Sequence, residues 1–330
     1  MKRKLLWIPV AILGIGFGEV AYLSMKSPNM APPSDINVDS SPERVARGKY
    51  LAHHVSVCAD CHSDIDQSRF GSPIKPGGLL KGRALPKEMG LPGEFWVPNL
   101  TSDATGNARM TDGQLIRSIR EGIGHDGRVL FPFMPYPEYK SLSDEDVQAI
   151  VAYLRTVPPV KNDLPTSKVS FPVNLFVKGV PAPAGKVASP NRQNPVEYGK
   201  YLATVAGCKF CHTPVKDNQP IPGKEFSGGH EFGAGEYKAV TGNLTPHPET
   251  GLGRWSEEQF LKKFYDYKEY AEKGPPPVKP ESFTVMPWLY YTGMEPDDLK
   301  AIFAYLKTVP AIANAVETHP GHNPEKKDKS

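Results

Sequence analysis

Cys58-Ala-Asp-Cys-His62 and Cys208-Lys-Phe-Cys-His212 are the two stretches from which the rest of the chain is read. They hold all four cysteines of the 330 residues, and the same pentapeptide precedes each, Gly48-Lys-Tyr-Leu-Ala52 and Gly199-Lys-Tyr-Leu-Ala203. The likeness continues downstream. Asn99-Leu-Thr101 returns as Asn243-Leu-Thr245, Phe133-Met-Pro135 as Val285-Met-Pro287, and Ala152-Tyr-Leu-Arg-Thr-Val-Pro158 as Ala304-Tyr-Leu-Lys-Thr-Val-Pro310. Segments recurring in one order at an offset of about 150 residues predict two homologous modules.

Each module reads as three short helices joined by long loops. The first opens on a capping residue followed by proline, Ser41-Pro42 or Asn194-Pro195, because proline lacks only an N–H that has no partner in the first turn. The second opens on a capping box, Thr111-x-x-Gln114 or Ser256-x-x-Gln259. The third begins with acids that suit a helix N-terminus, Asp144-Glu-Asp146 or Asp297-Asp298, and stops at Pro158 or Pro310. It buries Val147, Ile150, Val151 and Leu154, or Leu299, Ile302, Phe303 and Leu306. Gly48 and Gly199 would let the first and third helices cross closely. No strand pattern of comparable strength appears, so an all-α fold is expected. Its parts are residues 1–25 as an export or anchor segment, 26–40 as a linker, 41–160 as the first module, 161–193 as a second linker, 194–312 as the second module and 313–330 as a mobile tail.

Lys+Arg 39 against Asp+Glu 36 leaves +3, all of it accounted for by Lys2-Arg-Lys4, so nucleic acid is a poor partner. That basic tripeptide precedes an uncharged run from Leu5 to Gly18, the n-region and h-region of an export signal. With Glu19 tolerated near the headgroups, Trp7 to Met25 is long enough to cross a bilayer, and positive charge before it orients the remainder outward. A retained anchor on the periplasmic side of a bacterial inner membrane, held through residues 5–25, is expected; a cleaved leader and a soluble periplasmic protein are the alternative.

CxxCH is the attachment signature of c-type haem. Two thiols on one helical turn add across the two vinyl groups, and the adjacent imidazole reaches the iron. Cys58, Cys61 and His62 would hold one haem c, and Cys208, Cys211 and His212 a second. A redox-active disulfide within each CxxC would sit at a strand-to-helix junction, and none is visible in the sequence, while one zinc shared by both pairs leaves the paired histidines and the doubled fold unexplained. Met134 and Met286, each before proline and in the same place of the repeat, are the expected sixth ligands, since a neutral thioether favours ferrous iron. His125 is the best of the histidines that could replace one of them; His53, His54, His230 and His247 also lack an aligned counterpart. Tyr50, Tyr201, Tyr153 and Tyr305 are expected in helix packing.

Residues from about 43 to 312 resemble two tandem class I cytochrome c domains, and in detail the multihaem cytochrome c subunits of membrane-bound bacterial alcohol and gluconate dehydrogenases. The resemblance is carried by both CxxCH motifs, Asn243-Leu-Thr-Pro246 with Thr250-Gly-Leu-Gly-Arg-Trp255, Gly127-Arg-Val-Leu-Phe-Pro132, Met134-Pro-Tyr136 and the Ala-Tyr-Leu helices. It implies electron transfer from a dehydrogenase subunit towards quinone, another cytochrome or a terminal oxidase, with no catalysis by the chain itself. Two departures stand out. Those subunits commonly have three haem domains, and the second module here carries seven extra residues around Lys273-Gly-Pro-Pro-Pro-Val278, just before Met286. That loop is the one feature favouring the alternative, a dihaem oxidoreductase or peroxidase with one open or displaceable distal position. A third reading, a subunit whose main role is to anchor a catalytic partner, overlaps the first.

Overall fold

A computed structural model describes residues 20–217 and 219–321, so most of the expected anchor segment and the end of the expected tail, residues 322–330, lie outside the described residues. Among the described residues no helix is long and apolar enough to cross a membrane.

In the first module α1 (Pro42–Tyr50) runs into a wider turn at Leu51–Val55, and α2 (Cys58–His62) follows. α3 (Asp112–Glu121), the single-turn α4 (Tyr136–Tyr139) and α5 (Asp144–Thr156) complete it. The connecting stretch carries the short α6 (Val173–Phe176). The second module repeats the order as α7 (Pro195–Val205), α8 (Cys208–Cys211) and α9 (Glu257–Tyr265), inserts α10 (Lys268–Lys273), and closes with α11 (Trp288–Tyr291) and α12 (Pro296–Leu306). Both capping boxes form, with Thr111 and Ser256 accepting from the backbone N–H of Gln114 and Gln259. Asn194 caps α7 through its side chain, whereas Ser41 makes no such bond and Pro42 alone marks the start of α1.

Each core is built where the first helix of a module crosses the last. Leu51, Ala52 and Val55 pack with Ile150, Val151 and Leu154 in one, and Leu202, Ala203 and Val205 with Leu299, Ile302 and Leu306 in the other. Gly48 sits directly under the backbone of Ala149 and Gly199 under that of Ala301, which is the close crossing the glycines predict.

The modules meet across a reciprocal contact. The Tyr50 hydroxyl donates to Asp298 Oδ2 at 2.7 Å and accepts from the Glu295 N–H. The Tyr201 hydroxyl donates to Asp146 Oδ2 at 2.6 Å and accepts from the Ser143 N–H. Tyr50 and Tyr201 are equivalent in the repeat, as are Asp146 and Asp298, so the interface has local two-fold character. Both carboxylates are buried, and a hydrogen bond to a charged group contributes about 1.5–3 kcal/mol. Tyr50→Phe and Tyr201→Phe are each expected to lower stability by about 1–2 kcal/mol, with the double variant showing a lower denaturation midpoint than either. A double variant that unfolds with the wild-type protein would remove these pairs from the interface energetics.

The all-α expectation needs one correction. Short antiparallel strands do occur: Arg83–Ala84 with Trp96–Val97, Gly93–Glu94 with Lys168–Val169, Val215–Lys216 with Gln219–Pro220, and the hairpin Glu231–Ala234 with Tyr237–Val240. At two to four residues they are too short for alternation to register in the sequence. Residues 26–40 and 161–193, the expected linkers, are tied to the first module by hydrogen bonds from backbone and side-chain groups. The Val38 N–H donates to Asp112, Asn162 donates to the Lys81 carbonyl, and the Val187 carbonyl accepts from Asp144 N–H. The start of the expected mobile tail is likewise held, with Thr318 O accepting from Val240 N–H and His319 bonded to the Phe283 carbonyl.

Candidate haem sites

The chain reaches both CxxCH motifs through a left-handed residue, Gly207 in the second module and Val57 in the first. Valine pays a steric cost there that glycine avoids, so the turn is imposed by the CxxCH helix it introduces. All four cysteines are free thiols, half-buried on single-turn helices. Burial pushes Cys58, Cys61 and Cys208 up to about 12 and Cys211 to about 11, which keeps them neutral at ordinary pH. Neutral buried thiols are a poor match for a redox-active CxxC, whose thiolate is stabilised.

The paired histidines are oriented alike. His62 donates through Nδ1 to the Pro98 carbonyl at 3.0 Å, and His212 through Nδ1 to the Gly242 carbonyl at 2.8 Å. Since a carbonyl only accepts, the proton lies on Nδ1 and Nε2 keeps its lone pair for a metal. His62 Nε2 is buried with no hydrogen-bonding partner among the described residues. Burial lowers the pKa of both rings, His62 to about 4, so they are neutral imidazoles. An orphaned, unprotonated nitrogen beside two thiols on one helical turn fits c-type haem.

The carbonyls that orient these rings are fixed by the Asn-Leu-Thr repeats. Asn99 Oδ1 accepts from the Thr101 N–H and hydroxyl while its Nδ2 donates to Val160 O and Thr105. Asn243 makes the same bonds to Thr245, Ile312 O and Thr250. Each asparagine thus clips the strap beyond Pro98 or Gly242 to the chain leaving the last helix. Asn99→Ala and Asn243→Ala are expected to cost about 2–3 kcal/mol each, because several buried groups lose partners at once. A denaturation midpoint unchanged in both would show that the clip is dispensable.

Met134 and Met286 are half-buried against the core and sit in matching loops. The Met134 carbonyl accepts from Tyr136 N–H and the Met286 carbonyl from Trp288 N–H, both at 2.7 Å, and the intervening prolines have nearly the same backbone angles. The seven-residue insertion leaves this geometry unchanged. It docks on the first module instead, with Phe70 N–H donating to Pro276 O, Val278 N–H to Ser68 O, Arg69 to Pro275 O, and Phe70 stacked on Tyr267 at 5.3 Å.

Two residues that the motifs alone do not reveal tie these loops to the CxxCH segments. Tyr139 donates its hydroxyl to Ser56 O at 2.5 Å, and Tyr291 donates to Ala206 O at 2.6 Å, in each case two residues before the first cysteine. Their signal in the sequence is a tyrosine four residues beyond each Met-Pro proline. Beside Tyr291, the Tyr290 carbonyl accepts from His54, so α11 touches the segments leading into both CxxCH motifs.

The unaligned histidines have other surroundings, and His230 keeps a buried Nδ1 with no hydrogen-bonding partner among the described residues. His53 shares a hydrogen bond with Tyr153, His230 stacks on Phe232, and His247 Nδ1 accepts from the backbone N–H groups of Glu249 and Thr250. His125 lines a small polar cavity with Trp96, Asp126 and Arg128. Tyr50 and Tyr201 serve the interface between the modules, and Tyr305 packs edge-on against Phe226.

Residues 45–158 match the cytochrome c family model, and the chain belongs to the cytochrome c family. Over most of its length it is similar to cytochrome c subunits of dehydrogenases. It is 30% identical over 290 residues to the cytochrome c subunit of a quinone-dependent alcohol dehydrogenase from Gluconacetobacter polyoxogenes, covering 83% of this chain and 58% of that one. It is 32% identical over 286 residues to the gluconate 2-dehydrogenase cytochrome c subunit of Pantoea cypripedii, covering 81% and 60%. A dihaem c-type cytochrome of Cereibacter sphaeroides is 28% identical over 266 residues, covering 77% of this chain and 82% of the relative. The chain therefore spans a little under two thirds of the dehydrogenase subunits it resembles.

Proposed function

We propose that the chain is a dihaem electron carrier, with Cys58, Cys61, His62 and Met134 holding one haem c and Cys208, Cys211, His212 and Met286 the other. The observation that carries this is the duplicated arrangement of an Nδ1-anchored histidine with a Met-Pro loop tethered beside the same CxxCH. Bound there, haem c supplies a one-electron ferric/ferrous couple. The chain's part is to hold each imidazole neutral and fixed and to keep the Met-Pro loop that would supply the thioether tethered near the same CxxCH, so that the ligands would need little rearrangement when the charge changes. Because α11 touches the approach to both motifs, the two sites neighbour one another in the fold, an arrangement that suits electron passage within the chain.

The donor is a dehydrogenase subunit and the acceptor a quinone, another cytochrome or a terminal oxidase, on the periplasmic face of the inner membrane and anchored through residues 5–25. Likeness to dehydrogenase cytochrome subunits supports this assignment. The oxidoreductase alternative loses the feature that favoured it, since the proline-rich insertion braces the modules and leaves the Met286 loop like that of Met134. The test is the absorption spectrum of the reduced, haem-loaded protein before and after carbon monoxide, with haem counted in the same sample. Two haems and an unchanged spectrum are expected. A shift in either would mean a displaceable distal ligand and revive the enzymatic reading.

A further inference from the structure

Residues 164–190, between the modules, contain Lys168, Lys178 and Lys186 and no Asp or Glu. Within them α6 and the turn after it are seated by one face only. Leu175 and Val177 are buried, while Phe171 is 66% exposed, Phe176 63% and Val180 43%. The helical residues 20–25 lie beside this element, because Lys178 Nζ donates to the carbonyls of Ser24 at 2.7 Å and Leu23 at 3.5 Å. They add Tyr22, 63% exposed, and Met25, 79% exposed. Aromatic and apolar side chains held outward on an otherwise seated segment that carries lysines and no acids of its own are the composition of a surface that enters the headgroup layer of a membrane.

The occupant is indicated by the direction of the chain. The uncharged run Leu5–Gly18 ends immediately before Glu19 and Val20, so if that run lies in lipid, residues 20–25 are where the chain leaves it. Lys178 joins that exit point to Phe171 and Phe176. We propose that Phe171, Phe176 and Val180, with Tyr22 and Met25, form a second membrane contact that seats in the interfacial layer of an anionic phospholipid bilayer. Lys168 and Lys178 meet the headgroups there. A single span leaves the haem modules free to tilt and rotate, and a second contact fixes which face they turn to a partner. The inference rests on the anchor reading of residues 5–25.

The test uses the full-length, haem-loaded chain in vesicles of phosphatidylcholine and phosphatidylglycerol containing a diazirine-bearing phospholipid, with labelled peptides mapped by mass spectrometry. Lipid adducts are expected on residues 5–25 and on 171–180. The variant Phe171→Ser with Phe176→Ser is expected to lose adducts on 171–180, keep those on 5–25 and retain the wild-type haem spectrum. Adducts on 5–25 with none on 171–180 in the wild-type chain would overturn the second contact and leave the anchor standing. Absence of adducts on both segments would overturn the anchor reading and the inference with it.

Discussion

Gly199→Ala and Gly48→Ala are each expected to prevent one module from assembling. A Cβ at Gly199 would lie 1.8 Å from the Ala301 carbonyl oxygen, and one at Gly48 would lie 1.7 Å from that of Ala149. The obstructing atoms are helix backbone, so no side-chain rotation relieves the clash. The last helix must instead move away by roughly 1 Å or more to restore an ordinary contact, drawing Leu299, Ile302 and Leu306, or Ile150, Val151 and Leu154, out of a core in which all six are almost completely buried. Overpacking typically costs about 1–3 kcal/mol where side chains can adjust. Here a whole helix–helix seam is lost, and a domain's total stability is only about 5–15 kcal/mol. The damage also crosses the interface, since α12 carries Asp298 to Tyr50 and α5 carries Asp146 to Tyr201. Each single variant is expected to recover about one haem per chain or fewer, with a large loss in denaturation midpoint, whereas Gly179→Ala, which meets nothing within 4 Å, behaves as wild type. Either core variant with full haem content and an unchanged midpoint would refute the close-crossing account.

These glycines were legible in the sequence because they sit at the same place in two copies, and duplication filters accident from requirement. The same filter exposed the CxxCH motifs, the capping boxes and the Asn-Leu-Thr segments, although the last gave no hint that Asn99 and Asn243 secure the carbonyl partners of His62 and His212. Features that arise only once the copies face each other escaped it. Tyr50 and Tyr201 align in the repeat, yet their partners, Asp298 and Asp146, belong to the opposite module, and no periodicity within one module marks such a pair. The proline-rich insertion was misleading for a related reason. Its position in the chain is beside Met286, but its partners, Ser68 to Phe70, lie in the other module. The segments outside the modules read as linkers and a tail because no helical or strand period marks them, while their order comes from scattered hydrogen bonds that have no period either.

Met134→Ala and Met286→Ala are each expected to lower the potential of one haem while leaving both covalent attachments intact. Attachment depends on the thiols of α2 and α8, which neither substitution touches. The thioether, being neutral and soft, stabilises ferrous over ferric iron, and its loss opens the position to water or another oxygen or nitrogen donor that reverses the preference. Axial ligation sets haem potentials over a range of roughly 0.8 V, so a fall on the order of 100 mV or more is expected for the haem affected. A spectroelectrochemical titration should resolve two components, one displaced in each variant, and the displaced one should become reactive to carbon monoxide. Tyr139→Phe and Tyr291→Phe provide the comparison that separates ligation from positioning. They leave the sulfur in place and remove only the tether to Ser56 O or Ala206 O, so each should shift the same haem as its neighbouring methionine variant, by much less. If both methionine variants keep wild-type potentials, the iron is ligated by other side chains. If only Met286→Ala does, the distal side of the second module differs despite its matching loop.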